Sequence, residues 1–224
     1  MAGLRDDGYH LIAAEMVTLD LHDRLEVTPD GTGIEILNAP EVEVGPNNLV
    51  AKALRLADRS AGVLIDKAIP PGAGLGGGSS DAAAILRWAD YDDERSAATI
   101  GADVAFCLRG GRARVTGIGE VIEELEYVER TYTLLTPPFG CSTIEVYRAW
   151  DDLGGPKGDF GNDLEPAAMV VAPDLAQYRD YLAEVSGQRP RLAGSGSTWF
   201  VEGAFSGDGC VVANTVPRGW GMPA

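Results

Sequence analysis

Pro70-Pro-Gly-Ala-Gly-Leu-Gly-Gly-Gly-Ser-Ser-Asp81 is the stretch on which the reading of this chain turns. Five of the nine residues from Gly72 to Ser80 are glycine. The apolar run Gly62–Ile69 ahead of it reads as a strand, and the alanine-rich stretch behind it reads as a helix to about Ala89. Ser79-Ser80-Asp81 has the side chains of a helix N-cap, so the helix is expected to start there. A strand, a glycine-rich loop and a helix in that order make an anion site. Glycines let the backbone approach phosphates, and the helix start offers free N–H groups at the positive end of its dipole.

Two general phosphate motifs fall short. Gly72-x-Gly74-x-x-Gly77 has the spacing of a dinucleotide fingerprint, but the helix runs into Tyr91-Asp-Asp-Glu-Arg-Ser96 with no second strand ending in an acid. Gly72-x4-Gly77-Gly78-Ser79 approximates a Walker A loop, with Gly78 where the lysine must stand.

Outward from the loop, Glu15–Pro29 alternates Met16, Thr18 and Asp20 with Val17, Leu19 and Leu21 and reads as a strand. Gly31–Leu37 reads as a second strand, and Asn48–Ala57 as a helix with Asn48 at its cap. Beyond the loop, strands are expected over Arg112–Thr116, Val121–Tyr127, Tyr132–Thr136 and Thr198–Glu202, and helices over Thr143–Asp151 and Asp174–Val185. The natural break lies near Tyr127, giving domains 1–127 and 128–224. The Gly- and Pro-rich tail from Ser206 is expected to fold only in part.

The 45% hydrophobic and 23% charged content is that of a globular protein. No apolar run approaches a membrane span and no signal peptide opens the chain, so a cytoplasmic protein without a membrane partner is expected. Acidic residues outnumber basic ones 34 to 18, a net charge of −16 that repels a phosphate backbone and argues against nucleic acid. Backbone N–H groups can still hold one phosphorylated ligand. Cys107, Cys141 and Cys210 are too few and too scattered for a disulfide framework, and with only His10 and His22 no metal site is read from the sequence.

The whole segment Pro-x-Gly-x-Gly-Leu-Gly-Gly-Gly-Ser-Ser-Asp-Ala-Ala resembles the nucleotide loop of the GHMP kinases. Its triple glycine is similar to that of the 4-diphosphocytidyl-2-C-methyl-D-erythritol kinases within that superfamily. Arg5-Asp-Asp-Gly-Tyr-His10, Asn48-Leu49, Ile100-Gly-Ala-Asp-Val104, Gly117-Ile-Gly-Glu120, Ser142-Thr-x-x-Val-Tyr147, Asn162-Asp-Leu-Glu-Pro166 and Gly194-Ser-Gly-Ser-Thr198 extend the likeness, in family order, from about residue 3 to about residue 202. The stretch between Ala89 and Gly101 looks shorter than the family's.

The resemblance implies an α+β GHMP kinase fold, an N-terminal mixed sheet with helices and a C-terminal ferredoxin-like domain. It also implies ATP with Mg²⁺, and a cytidyl diphosphate sugar alcohol as the substrate, phosphorylated on a hydroxyl. By the same likeness Pro70, Pro71, Gly72, Ala73, Gly74, Leu75, Gly76, Gly77, Gly78, Ser79 and Ser80 wrap the triphosphate, and Asn48 and Lys67 match base-pocket positions. Asp103 matches the catalytic aspartate, a general base for the attacking hydroxyl. Tyr9 and His10 match the residues that hold the cytosine, and Thr143 the substrate end. The family's opening strand with Pro-Ala-Lys-x-Asn has no match in these residues. Either the coding sequence starts farther upstream, or this is a truncated nucleotide-binding relative with little catalysis. A GHMP kinase for another small alcohol is the remaining alternative.

Overall fold

The computed structural model describes residues 1–5, 8 and 10–220 and divides into two compact units. One holds Met1–Ile69, Gly76–Glu129 and the chain from Thr215; the other holds Pro70–Leu75 and Arg130–Asn214. The main cut, between Glu129 and Arg130, lies close to the expected break near Tyr127. The first half of the glycine-rich loop belongs with the C-terminal residues, and the tail returns to the N-terminal unit.

The first unit carries two sheets. Strands β1 (Gly3–Leu4), β2 (His10–Val17), β6 (Arg112–Gly117) and β7 (Val121–Glu124) lie side by side in that order, all antiparallel. Strands β3 (Arg24–Thr28), β5 (Gly62–Asp66) and β4 (Ile34–Leu37) form the mixed sheet, β3 antiparallel and β4 parallel to β5. The single strand expected over Glu15–Pro29 is thus two. Thr18 leaves the ladder by exchanging bonds with Gly111, its N–H donating to the Gly111 carbonyl at 2.8 Å and its Oγ1 accepting from the Gly111 N–H at 3.0 Å. Alternation alone could not show that β2 pairs with β6 and β3 with β5.

Helices α1 (Leu49–Leu56), α2 (Gly77–Trp88), α3 (Glu94–Ala97) and α4 (Val104–Arg109) build the core beside the mixed sheet. Asn48 caps α1 as expected, Oδ1 accepting from the Val50 N–H at 2.8 Å. Ala82, Ala83, Ile85 and Leu86 of α2 are fully buried against Val50 and Ala53 of α1 and Val63 and Ile65 of β5. Small alanines let the helices approach closely. Truncating Leu86 to alanine there would cost about 2–5 kcal/mol.

The second unit is a four-stranded antiparallel sheet of β8 (Thr131–Leu135), β9 (Arg191–Leu192), β10 (Trp199–Glu202) and β11 (Cys210–Asn214), ordered β11-β8-β10-β9. This is the ferredoxin-like order. Helices α5 (Thr143–Asp152), α6 (Glu165–Val171) and α7 (Leu175–Ser186) occupy the first crossover, while a loop replaces the second. Trp199 is fully buried, and its Nε1 donates to the Leu175 carbonyl at 3.1 Å, tying β10 to α7. In the described part of the tail, β11 takes the sheet edge beside β8, and Val216 N–H bonds the Thr18 carbonyl at 2.9 Å in the first unit.

Candidate active site

The loop delivers the chain to α2 earlier than its serines suggest. Gly76 is the N-cap, in the left-handed region at φ +68°, and no side chain caps the helix. The first backbone bond of the helix runs from the Ser80 N–H to the Gly76 carbonyl at 2.8 Å, so the preceding amides of Gly77, Gly78 and Ser79 have no partner within the helix. Ser80 Oγ bonds back to the Gly77 carbonyl at 2.7 Å. Asp81, one of the three residues with cap side chains, points into the protein instead. With no side-chain cap and no acidic side chain in the first turn, this helix start has the chemistry to hold an anion.

Asp81 is held by Lys67, whose Nζ lies 2.8 Å from Asp81 Oδ2 and also pairs with Asp23 Oδ2. The three side chains are 5%, 6% and 1% exposed. Burial pushes the Asp81 carboxyl up to about 6, although Lys67 works against the shift. The two carboxylates outweigh burial at Lys67 and hold its ammonium above its ordinary range. Asp23 Oδ1 accepts from the Ala68 and Ile69 N–H groups at 2.6 and 2.8 Å.

Asp103 stands at the N-cap position of α4, yet its side chain makes no capping bond. The ordinary structural use of an aspartate there is therefore absent. Burial raises the proton affinity of its carboxyl. One turn on, burial and then the Asp103 carboxylate push the Cys107 thiol up to about 12, against the pull of Arg87. A Cβ on Gly76 would lie 4.0 Å from Cys107 Sγ, so the end of the loop and the Asp103 helix are neighbours.

In the second unit the first half of the loop is held by backbone bonds. The Gly72 carbonyl accepts from Cys141 N–H at 3.0 Å and Ser197 N–H at 3.1 Å, and the Ala73 carbonyl accepts from Thr198 N–H at 3.0 Å. Thr143 Oγ1 and Ser195 Oγ are 3.0 Å apart. Asn162 Nδ2 donates to the Leu192 and Gly194 carbonyls at 2.9 and 2.7 Å. Four segments singled out in the sequence, 70–75, 142–147, 162–166 and 194–198, thus meet in one unit.

The predicted residues fare unevenly. The structure brings Gly76–Ser80 and Asp103 together in one unit and joins Thr143 to the Gly194–Ser197 loop. Asn48 and Lys67, expected at a base pocket, bond within the chain: Asn48 to its cap amide and the Glu43 carbonyl, Lys67 to two buried carboxylates. His10 opens β2 opposite Leu4, and Tyr9 lies outside the described residues. Sequence reasoning missed Asp23. The available signal was Asp81, four residues before buried Ile85 on the inner face of an alanine-rich helix, where a charge needs a partner.

Comparison with known proteins identifies the family. The family described as GHMP kinases N terminal domain matches residues 48–111. The chain is 35% identical to 4-diphosphocytidyl-2-C-methyl-D-erythritol kinase of Paracoccus denitrificans (strain Pd 1222), covering 89% of this chain and 81% of that one. It is 33% identical to the enzyme of that name from Cereibacter sphaeroides (strain KD131 / KCTC 12085), covering 100% and 93%. A crystal structure of 4-(cytidine 5'-diphospho)-2C-methyl-D-erythritol kinase matches with a TM-score of 0.71 at 29% identity, over 95% of this chain and 93% of the other.

Proposed function

The chain belongs to the 4-diphosphocytidyl-2-C-methyl-D-erythritol kinase family of GHMP kinases, and from this we propose that it transfers the γ-phosphate of ATP to a hydroxyl of 4-diphosphocytidyl-2-C-methyl-D-erythritol in non-mevalonate isoprenoid biosynthesis. It is an ATP-dependent phosphotransferase. The observation that carries the residue assignment is the uncapped start of α2, with three successive amides unspent by the helix directly after a glycine-rich loop.

Phosphoryl transfer asks a protein mainly for positioning and for stabilisation of charge. The Gly77, Gly78 and Ser79 amides hold phosphate oxygens, and residues 70–76 bring the backbone alongside them. Asp103, whose carboxylate is not used as a cap, accepts the proton of the attacking hydroxyl; its raised proton affinity suits that task. Tyr9 and His10 receive the cytosine, and Thr143 the rest of the substrate. Among the described residues no three acidic, histidine or cysteine side chains gather into a metal cage. That fits Mg²⁺, which is carried largely by phosphate oxygens with few protein ligands. The hydroxyl of Ser79 or Ser80 would be a hard oxygen donor to it, and the ion would supply neutralising charge to the phosphates. We infer a cytoplasmic location. Among the described residues no helix is long and apolar enough to cross a membrane.

The test separates binding from chemistry. Asp103→Asn should lower kcat on the cytidyl substrate by about 10²-fold or more while the Kd for ATP stays within about twofold. Undiminished turnover by this variant would remove Asp103 from the chemistry. An unmodified protein that phosphorylates a small alcohol lacking the cytidyl group equally well would overturn the substrate.

A further inference from the structure

Residues 67–69 enter the glycine-rich loop and Gly77 leaves it, and both flanks converge on Asp23, which lies far away in sequence. One carboxylate oxygen of Asp23 takes the Ala68 and Ile69 N–H groups at 2.6 and 2.8 Å. The other holds the Lys67 ammonium, which reaches on to Asp81 in the second turn of α2. The exit is packed on the same group. A Cβ at Gly77 would lie 2.9 Å from Ile69 Cγ2 and 3.3 Å from Lys67 Nζ, so only a glycine lets the start of α2 seat against these anchors.

We propose that Asp23 is a positioning residue for phosphoryl transfer, clamping the entrance of the phosphate loop to the start of α2 so that the Gly77–Ser79 amides are aimed before ATP arrives. The proposal rests on the kinase reading above. Stability is a poor reason for such a cluster, because a buried carboxylate costs desolvation and a packed apolar side chain serves a core as well. Geometry is a better one. The chain between Ile69 and Gly77 is rich in glycine and has little stiffness of its own. Small displacements of groups that hold a reacting phosphate cost rate steeply. Asp23 acts through Lys67 and the backbone and touches no substrate.

Two variants divide its contacts. Asp23→Asn keeps a carbonyl oxygen for the Ala68 and Ile69 amides but gives up the charge facing Lys67. Asp23→Ala gives up both. Asp66→Asn is the control, since Asp66 is an exposed residue at the end of β5 whose carboxylate accepts from Asn38 Nδ2 at 2.6 Å, away from Asp23 and Lys67 among the described contacts.

Calorimetric titration with ATP·Mg²⁺, on protein shown to be folded by circular dichroism, should give a Kd raised about tenfold or more in Asp23→Ala and by a smaller factor in Asp23→Asn. In turnover the KM for ATP should rise likewise, with the KM for the cytidyl substrate unchanged and Asp66→Asn like the unmodified protein. A merely structural Asp23 would lower the melting temperature and leave the ATP Kd of the folded protein within twofold; that result overturns the proposal. So does unfolding of both variants under the titration conditions, which would make Asp23 a stability residue. ATP binding without turnover in the unmodified protein would sink the kinase reading while the Kd comparison still judges Asp23. Absence of ATP binding by the unmodified protein would overturn both.

Discussion

A Cβ at Gly74 would stand 2.2 Å from the Ala193 carbonyl oxygen and 2.7 Å from that of Gly196, on a backbone already at φ +74°. Both neighbours are main chain, so neither can swing aside. At Gly78 the same atom would find only Leu49 Cδ1 at 3.7 Å, an ordinary contact, on helical backbone. In the sequence these glycines look alike, members of one phosphate loop. Their physical demands differ. Gly74→Ala should lower the unfolding free energy by more than about 2 kcal/mol, from strain and clash together. Gly78→Ala should fold as well or better, by up to about 1 kcal/mol, because alanine loses less backbone freedom than glycine on taking up helical backbone. Urea denaturation of the two variants measures both, and equal destabilisation would show that the loop tolerates less than its geometry suggests.

At the scale of elements, β5 and α2 are joined across the loop by a cluster with two carboxylates and one ammonium. Burial raises the Asp81 carboxyl from its ordinary 3.8 to about 6. The groups facing it are Lys67 and Asp23, with Arg87 and Cys107 within electrostatic reach of the same region. The sign follows from which state binds the proton more tightly. The folded chain does, so this group's contribution to stability is greatest below the unfolded value and falls as pH rises from about 4 to about 6. Asp81→Asn removes the titration. Its stability relative to the unmodified protein should therefore rise across that window and be level above it, as read by denaturant titrations at successive pH values. A constant difference would mean that Asp81 does not take up a proton there. The existence of α2 was legible from its alanines and apolar spacing. Its start was not, because Ser79-Ser80-Asp81 offers cap side chains that the fold uses otherwise: Ser80 bonds back on Gly77 and Asp81 goes to Lys67.

For the whole molecule, residues 215–220 of the Gly- and Pro-rich tail pack on the first unit. The Tyr127 hydroxyl donates to the Thr215 carbonyl at 2.9 Å, Thr215 Oγ1 donates to the Val128 carbonyl at 2.9 Å, and Val216 N–H reaches Thr18. The Trp220 ring meets His22 edge-on, with centroids 5.2 Å apart. These contacts brace residues 18–22, directly ahead of Asp23. Ending the chain at Asn214 should lower the melting temperature by about 5 °C or more, since part-buried hydrogen bonds and a buried valine are lost together. Scanning calorimetry checks this; an unshifted transition would show that the segment is dispensable.

The amino-acid sequence by itself determined what neighbouring residues can settle among themselves. The glycine-rich loop, the alanine-rich helix after it, the Asn48 cap and the strand and helix periodicities all depend on contacts within a few residues. The order of the motifs carried the family in the same way. Tertiary structure decided which distant groups meet. Lys67 finds Asp23 across 44 positions, and the Gly72 carbonyl finds the Ser197 amide from the far end of the chain. Such partners are chosen by the need to satisfy buried charges and backbone polar groups once the sheets have paired. Pairing is long-range, and no local pattern encodes it.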